Sequence, residues 1–217
     1  MSHKFYIAAI LIFVSLQASA REDQEDLSSL VERLQKIQAI AGDFIQFSED
    51  QRGSRSEPSN GSFKAKRPGF FYWHTHSPLE QAIYSDGKTV TVYDPDLEQA
   101  TIQASDPRSE NTPAVLFSGN IDQIGALYEV DTVSDNGTTV EYQLTPIGEE
   151  TLFETLSIRF NGIQISDMRL KDSLGQKNVV SFVQTEINPP LSEADFVPKL
   201  PKGTDIIEDL PMGGLQP

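Results

Sequence analysis

GSFKAKRPGFFYWHTHSP, residues 61–78, reads as two strands joined at Pro68-Gly69. Strand periodicity places Phe63, Ala65 and Arg67 on one face and Lys64 and Lys66 on the other. Arg67 therefore shares the face that is otherwise apolar, directly ahead of a proline and a run of aromatics. A charged guanidinium on that face needs partners.

The period of two continues on both sides. DFIQFSED, from Asp43, reads as a strand, and GSRSEPSNG (53–61) as a loop. After 62–67 and 70–76, strands are expected at 80–85, 88–94 and 98–103. Asp86-Gly87 suits a tight hairpin turn. Strands resume at 128–134, 138–145, 151–160, 163–171, 177–187 and 195–197, with Asn136-Gly137, Asn161-Gly162 and Leu174-Gly175 at turns. Short turns between successive strands imply an antiparallel meander. Two stretches break the pattern. Leu27, Leu30, Val31, Leu34, Ile37 and Ala41 recur at three- and four-residue steps, which predicts one amphipathic helix over 21–41, ended by Gly42. Residues 111–128 read as a helical insertion, with Thr112 as cap and Pro113 at the first helical position. The last stretch, 198–217, is rich in Pro and Gly and is expected as a loosely held tail.

The 217 residues suit one domain, 21–217, preceded by an export signal. Residues 1–20 carry a basic start at Lys4, an apolar run from Phe5 to Leu16 and an Ala18-Ser19-Ala20 end, the pattern of a cleaved signal peptide. The apolar run is short for a membrane span. Cysteine is absent, so an exported protein must rely on its core, and a mature amino-terminal cysteine for lipid attachment is lacking. The net charge of −15 disfavours nucleic acid and anionic headgroups.

Motifs for chemistry are weak. Gly87-Lys88-Thr89 has Ala82 where a phosphate-binding loop needs glycine, and it opens a strand instead of a helix. His74 and His76 point the same way from a strand, but a third metal ligand would have to be a carboxylate. Asp94-Pro95-Asp96-Leu97-Glu98 has Gln99 where a calcium loop needs glycine, and reads better as an acidic turn. A carboxylate-pair hydrolase stays formally open, with nothing to single out a pair. No metal, cofactor or catalytic residue is expected. What stands out is apolar surface beyond one packed layer. The concave side of a curled sheet, with Phe44, Phe63, Phe71 and Trp73 as its lining, is either a cavity or a filled core.

An ordered set of short motifs resembles the LolA family of periplasmic outer-membrane lipoprotein carriers. It comprises Lys66 to Trp73, Ser85 to Thr89, Tyr93-Asp94-Pro95, Glu98 to Thr101 and Asn111 to Ala114. The resemblance implies a mainly β fold with some α: an incomplete, half-open antiparallel β-barrel of about eleven strands. A helical lid would cover its hydrophobic cavity. Pro113, Ala114, Val115, Leu116 and Phe117 would belong to that lid. Arg67 would be its latch, because a guanidinium on an apolar concave face has five donors that need acceptors, and lid carbonyls can supply them. The resemblance also implies a monomeric, non-enzymatic periplasmic chaperone. Its cargo would be the acyl chains of lipoproteins, its donor the inner-membrane ABC transporter LolCDE and its acceptor the outer-membrane receptor LolB. A lipid- or lipoprotein-sensing module of the same fold is the alternative.

Overall fold

The computed structural model describes residues 24–105, 116–117, 119–148 and 153–210. The expected signal segment and Pro113, Ala114 and Val115 lie outside the described residues. Twelve strands form one sheet: β1 Ala39–Glu49, β2 Ser59–Lys66, β3 Phe70–Ser77, β4 Gln81–Asp86, β5 Thr89–Asp94, β6 Gln99–Ala104, β7 Tyr128–Asp135, β8 Thr139–Pro146, β9 Thr155–Asn161, β10 Gln164–Lys171, β11 Lys177–Ile187 and β12 Asp205–Asp209. Their spatial order is β12-β6-β5-β4-β3-β2-β1-β11-β10-β9-β8-β7. All neighbours are antiparallel except β12, which lies parallel to β6. β7 and β12 are the two edges, so the sheet does not close. It is nonetheless strongly curved. Ile83 of β4 and Leu156 of β9, six strands apart in the order, line the same cavity.

Three expectations are corrected. The first helix, α1, covers 24–35 and stops well short of Gly42. The segment 37–41 fits both periods, and strand pairing wins, because Ala39, Ile40 and Ala41 pair with β2. Asn188 stabilises the break. Its side-chain oxygen accepts from the Gln38 and Ala39 amides at 2.8 and 3.1 Å, and its amide donates to the Lys36 carbonyl at 2.9 Å. Gly42 sits where the β1–β11 register shifts. A Cβ there would come within 3.0 Å of the Thr185 Cα, so a close backbone approach, not a helix stop, requires the glycine. Second, the strand expected near 195–197 is the 3₁₀ turn Glu193–Phe196, begun by a reciprocal Ser192–Asp195 capping box. Third, part of the expected loose tail, Asp205–Asp209, joins the sheet as β12.

Each face has its own cover. Outside, Phe196 packs against Phe70 with ring centroids 5.4 Å apart, and Lys64 pairs with Asp195 at 3.1 Å. Inside, Leu30 and Leu34 of α1 and the helical residues Leu116 and Phe117 are buried against the concave face. The 3₁₀ turn Ile121–Gln123 and the one-turn helix Ile124–Leu127 then lead into β7.

Candidate functional site

Phe44, Phe63, Phe71 and Trp73 are all buried and belong to one contiguous core. Strand alternation puts them on the same face, and cross-strand pairing brings Phe63 opposite Trp73 and Phe44 opposite Phe182. Phe44 stacks on Trp73 at 3.7 Å, and Phe63 touches Phe182 at 5.1 Å and Phe117 at 5.8 Å. The opposite wall presents Ile158, Phe160, Met168 and Val180. Cavity and filled core both occur. At the end covered by α1 and Phe117 the concavity is filled by the chain's own side chains. At the far end a cavity of about 240 Å³ remains, bounded by Trp73, Ile83, Leu156, Met168, Leu170 and Val180 with a polar rim.

Arg67 lies just beyond β2, in the turn to β3. Its main-chain amide donates to the Gln38 carbonyl at 2.9 Å. Its side chain reaches the filled end of the concavity. Nε donates to the Ile37 carbonyl at 3.1 Å, Nη1 to the Gly119 carbonyl at 2.5 Å, and Nη2 to the Leu116 carbonyl. These three acceptors are main-chain carbonyls at the ends of α1 and of the helical segment around 116–117. The negative end of α1's peptide dipoles lies close to the Ile37 carbonyl. Burial pushes the Arg67 guanidinium down to about 10, which leaves it charged at neutral pH. The turn that carries it is held in place by glycine. A Cβ on Gly69 would fall 2.6 Å from the Cα of Gly87 in the β4–β5 hairpin, so these two turns pack backbone to backbone. Leu116 and Phe117 are thus placed under the Arg67 side chain and against Phe63, respectively.

A second polar contact in the same concavity went unread in the sequence. Tyr142 of β8 is fully buried, and its hydroxyl lies 2.6 Å from the Ser29 hydroxyl and accepts from Arg33 Nε at 3.0 Å. Arg33 Nη1 also donates to the Gly162 carbonyl at 3.0 Å. One turn earlier, Asp26 accepts from the Thr132 amide and hydroxyl at 2.8 and 2.7 Å. Asp26, Ser29 and Arg33 fall at helical steps of three and four beside the Leu30/Leu34 stripe. That spacing was the available signal.

The weaker motifs take structural places. His74 bonds Tyr72 at 3.0 Å and Glu80 at 2.9 Å on the outer face, with His76 against it at 4.5 Å. Asp94 accepts from the Leu97 amide in the β5–β6 turn, and Asp86 accepts from the Lys88 and Thr89 amides in the β4–β5 hairpin.

Comparison with known proteins agrees with this arrangement. The family model described as outer membrane lipoprotein carrier protein LolA matches residues 35–199. The chain is 38% identical over 208 residues to an outer-membrane lipoprotein carrier protein of Pseudomonas putida, covering 95% of this chain and 98% of that one. It is 38% identical over 190 residues to the protein of that description from Azotobacter vinelandii, covering 88% and 91%. Among solved structures, an uncharacterized conserved protein from Thermus thermophilus shares the fold with a TM-score of 0.53. It is 11% identical, with 85% of this chain and 98% of that one covered. An open antiparallel sheet with an apolar, helix-covered concave face and sequence identity over nearly the whole chain together assign the chain to the LolA family of outer membrane lipoprotein carriers.

Proposed function

We propose that the protein is a periplasmic chaperone that carries lipoproteins between membranes by sheltering their acyl chains on the concave face. The observation that carries this reading is the bonding of Arg67. A buried cation in an apolar concavity is satisfied by carbonyls of the covering segments, so its bonds both close the cover and can be exchanged when the cover lifts. Phe44, Phe63, Phe71 and Trp73 would line the binding face, and Leu116 and Phe117 would be the part of the lid that withdraws from it, together with Pro113, Ala114 and Val115.

Energetics supports a carrier. Each acyl CH₂ moved into water costs about 0.8 kcal/mol, so free transit of a multiply acylated protein is prohibitive. Apolar burial is non-directional, which lets one cavity serve many cargoes. The open volume of about 240 Å³ is smaller than the roughly 300–1,000 Å³ of ordinary ligand pockets, so cargo must displace the cover. Loading then needs work from outside, and the inner-membrane ABC transporter LolCDE is the proposed donor. Release needs only a tighter acceptor, and the receptor LolB is the proposed one. The chemistry is transfer without covalent bond change, one lipoprotein per monomer.

The test is release from spheroplasts making a radiolabelled outer-membrane lipoprotein. Addition of the purified mature protein is expected to bring the lipoprotein into solution as a one-to-one complex. A folded protein that releases nothing, with the matching transporter present, would turn the reading to a lipid- or lipoprotein-sensing module.

A further inference from the structure

The cavity at the end away from Arg67 differs in chemistry from the filled end. Its floor is apolar, with Trp73 and Met168, but its rim is made of Gln46, Thr75, Gln81 and Asn178. Every rim group is polar and uncharged. The charged neighbours in sequence alternate away from it. Glu49 and Lys177 approach each other at 3.7 Å, and Lys171 pairs with Glu154. Glu49, Lys177 and Lys171 lie at strand positions of opposite parity to Gln46, Asn178 and Leu170, and Glu154 precedes β9. Among the described residues, the side chains of Gln46, Thr75 and Gln81 make no hydrogen bond, the Ser59 hydroxyl reaching only the Gln46 main-chain carbonyl. The Asn178 side-chain Oδ1 accepts from the Ser48 hydroxyl at 2.6 Å, which leaves the Nδ2 hydrogens to point elsewhere. The rim therefore offers unspent amide donors and acceptors with no fixed charge, directly above an apolar floor.

We infer that this rim is a specificity filter that accepts the neutral ester and amide linkages of an acylated cysteine and rejects phosphate-bearing lipids, an assignment that rests on the carrier reading above. Acyl chains are the same in both kinds of lipid, so the apolar floor cannot tell them apart. The polar junction can. Ester and amide groups entering the cavity exchange water for Gln and Asn partners at little cost. A phosphodiester would enter with its charge and find no cation among the described rim residues, so desolvation opposes it. A carrier working between two phospholipid membranes needs this discrimination, or it fills with bulk lipid.

The test uses the mature protein and two soluble ligands with matched acyl chains: a triacylated cysteinyl dipeptide with an amidated, uncharged head, and a short-chain phosphatidylglycerol. Both compete against a fluorescent fatty-chain probe. The parent protein is expected to prefer the lipopeptide by at least about tenfold, and Gln81→Lys and Asn178→Lys are expected to erase most of that preference by tightening phosphatidylglycerol. Gln81→Leu is the control for lost polarity, expected to weaken the lipopeptide without recruiting the phospholipid. Equal affinity for both ligands in the parent, or an unchanged ratio in both lysine variants, overturns the filter and leaves the carrier standing. A folded parent that binds neither ligand, and fails in the spheroplast assay, overturns the carrier reading itself.

Discussion

The cover is anchored at two places, and the anchors are built differently. On the β7–β9 wall, α1 is held chiefly by side chains that recognise side chains, Ser29 and Arg33 on Tyr142 and Asp26 on the Thr132 hydroxyl, with the Thr132 amide and the Gly162 carbonyl as main-chain partners. On the β2–β3 turn, Arg67 holds only main-chain carbonyls of Ile37, Leu116 and Gly119. The first anchor specifies a position, because few other groups could replace its partners. The second specifies only that carbonyls be present. In the proposed latch, one set of carbonyls would be released and another taken. On the proposed carrier reading, the contrast makes α1 the fixed element on the β7–β9 wall and Leu116 and Phe117 the part expected to move.

The largest break in this contrast is expected from Arg67→Leu. Three bonds from a charged donor are lost, offset in part by the desolvation that burial of the cation now costs. A net loss of about 2 kcal/mol would shift the cover equilibrium roughly thirtyfold toward open. Uptake of an apolar dye by the purified protein should rise accordingly, and delivery from spheroplasts to acceptor membranes should fall. Dye uptake and delivery like the parent's would refute the latch. Tyr142→Phe is next. It removes one buried hydroxyl shared by two partners and should lower stability to urea by about 1–3 kcal/mol without opening the cover, since the Arg67 bonds remain. Dye uptake as large as in Arg67→Leu would mean the two anchors are equivalent. Thr132→Val loses a single bond to the first described turn of α1, for about 1 kcal/mol, read as faster hydrogen exchange confined to 24–30.

The smallest effect concerns the outer cover. Hydrogen bonds from the Ser192 amide and hydroxyl, and then Lys64, hold the Asp195 carboxyl down to about 2. Its unfolded value is about 3.9. The folded value is the lower one, so this contribution is fully present above about pH 4 and is lost as pH falls through about 2. Exchange of the Ser192–Phe196 amides, corrected for its intrinsic pH dependence, should accelerate over that window and lose its pH dependence in Asp195→Asn. Acceleration centred near pH 4 would contradict the assigned carboxyl.

Much of this was legible in the chain. Alternation located eleven strands because each buries one face, and Asp86-Gly87 located a hairpin because its glycine adopts a φ of +83°. Arg67 stood out because charge on an apolar face demands partners. Its partners were not legible from spacing, since carbonyls carry no residue identity. The end of α1 was misread because Ile37 to Ala41 satisfies helical and strand periods alike. The deciding contact, Asn188, lies 150 residues away. β12 was missed for a related reason. Asp205–Asp209 is exposed throughout, so its only claim to strand structure is backbone pairing with β6.

The gap between β7 and β12 has a consequence for capacity. A sealed cylinder has a circumference fixed by its strand number and stagger, and swelling it would tear a ladder of hydrogen bonds. Here the wall ends in two strands, β7 and β12, with no ladder joining them among the described residues. On the proposed carrier reading, it would splay around a bulky guest as a cuff loosens on a wrist, changing its girth while every rung of the ladder stays intact.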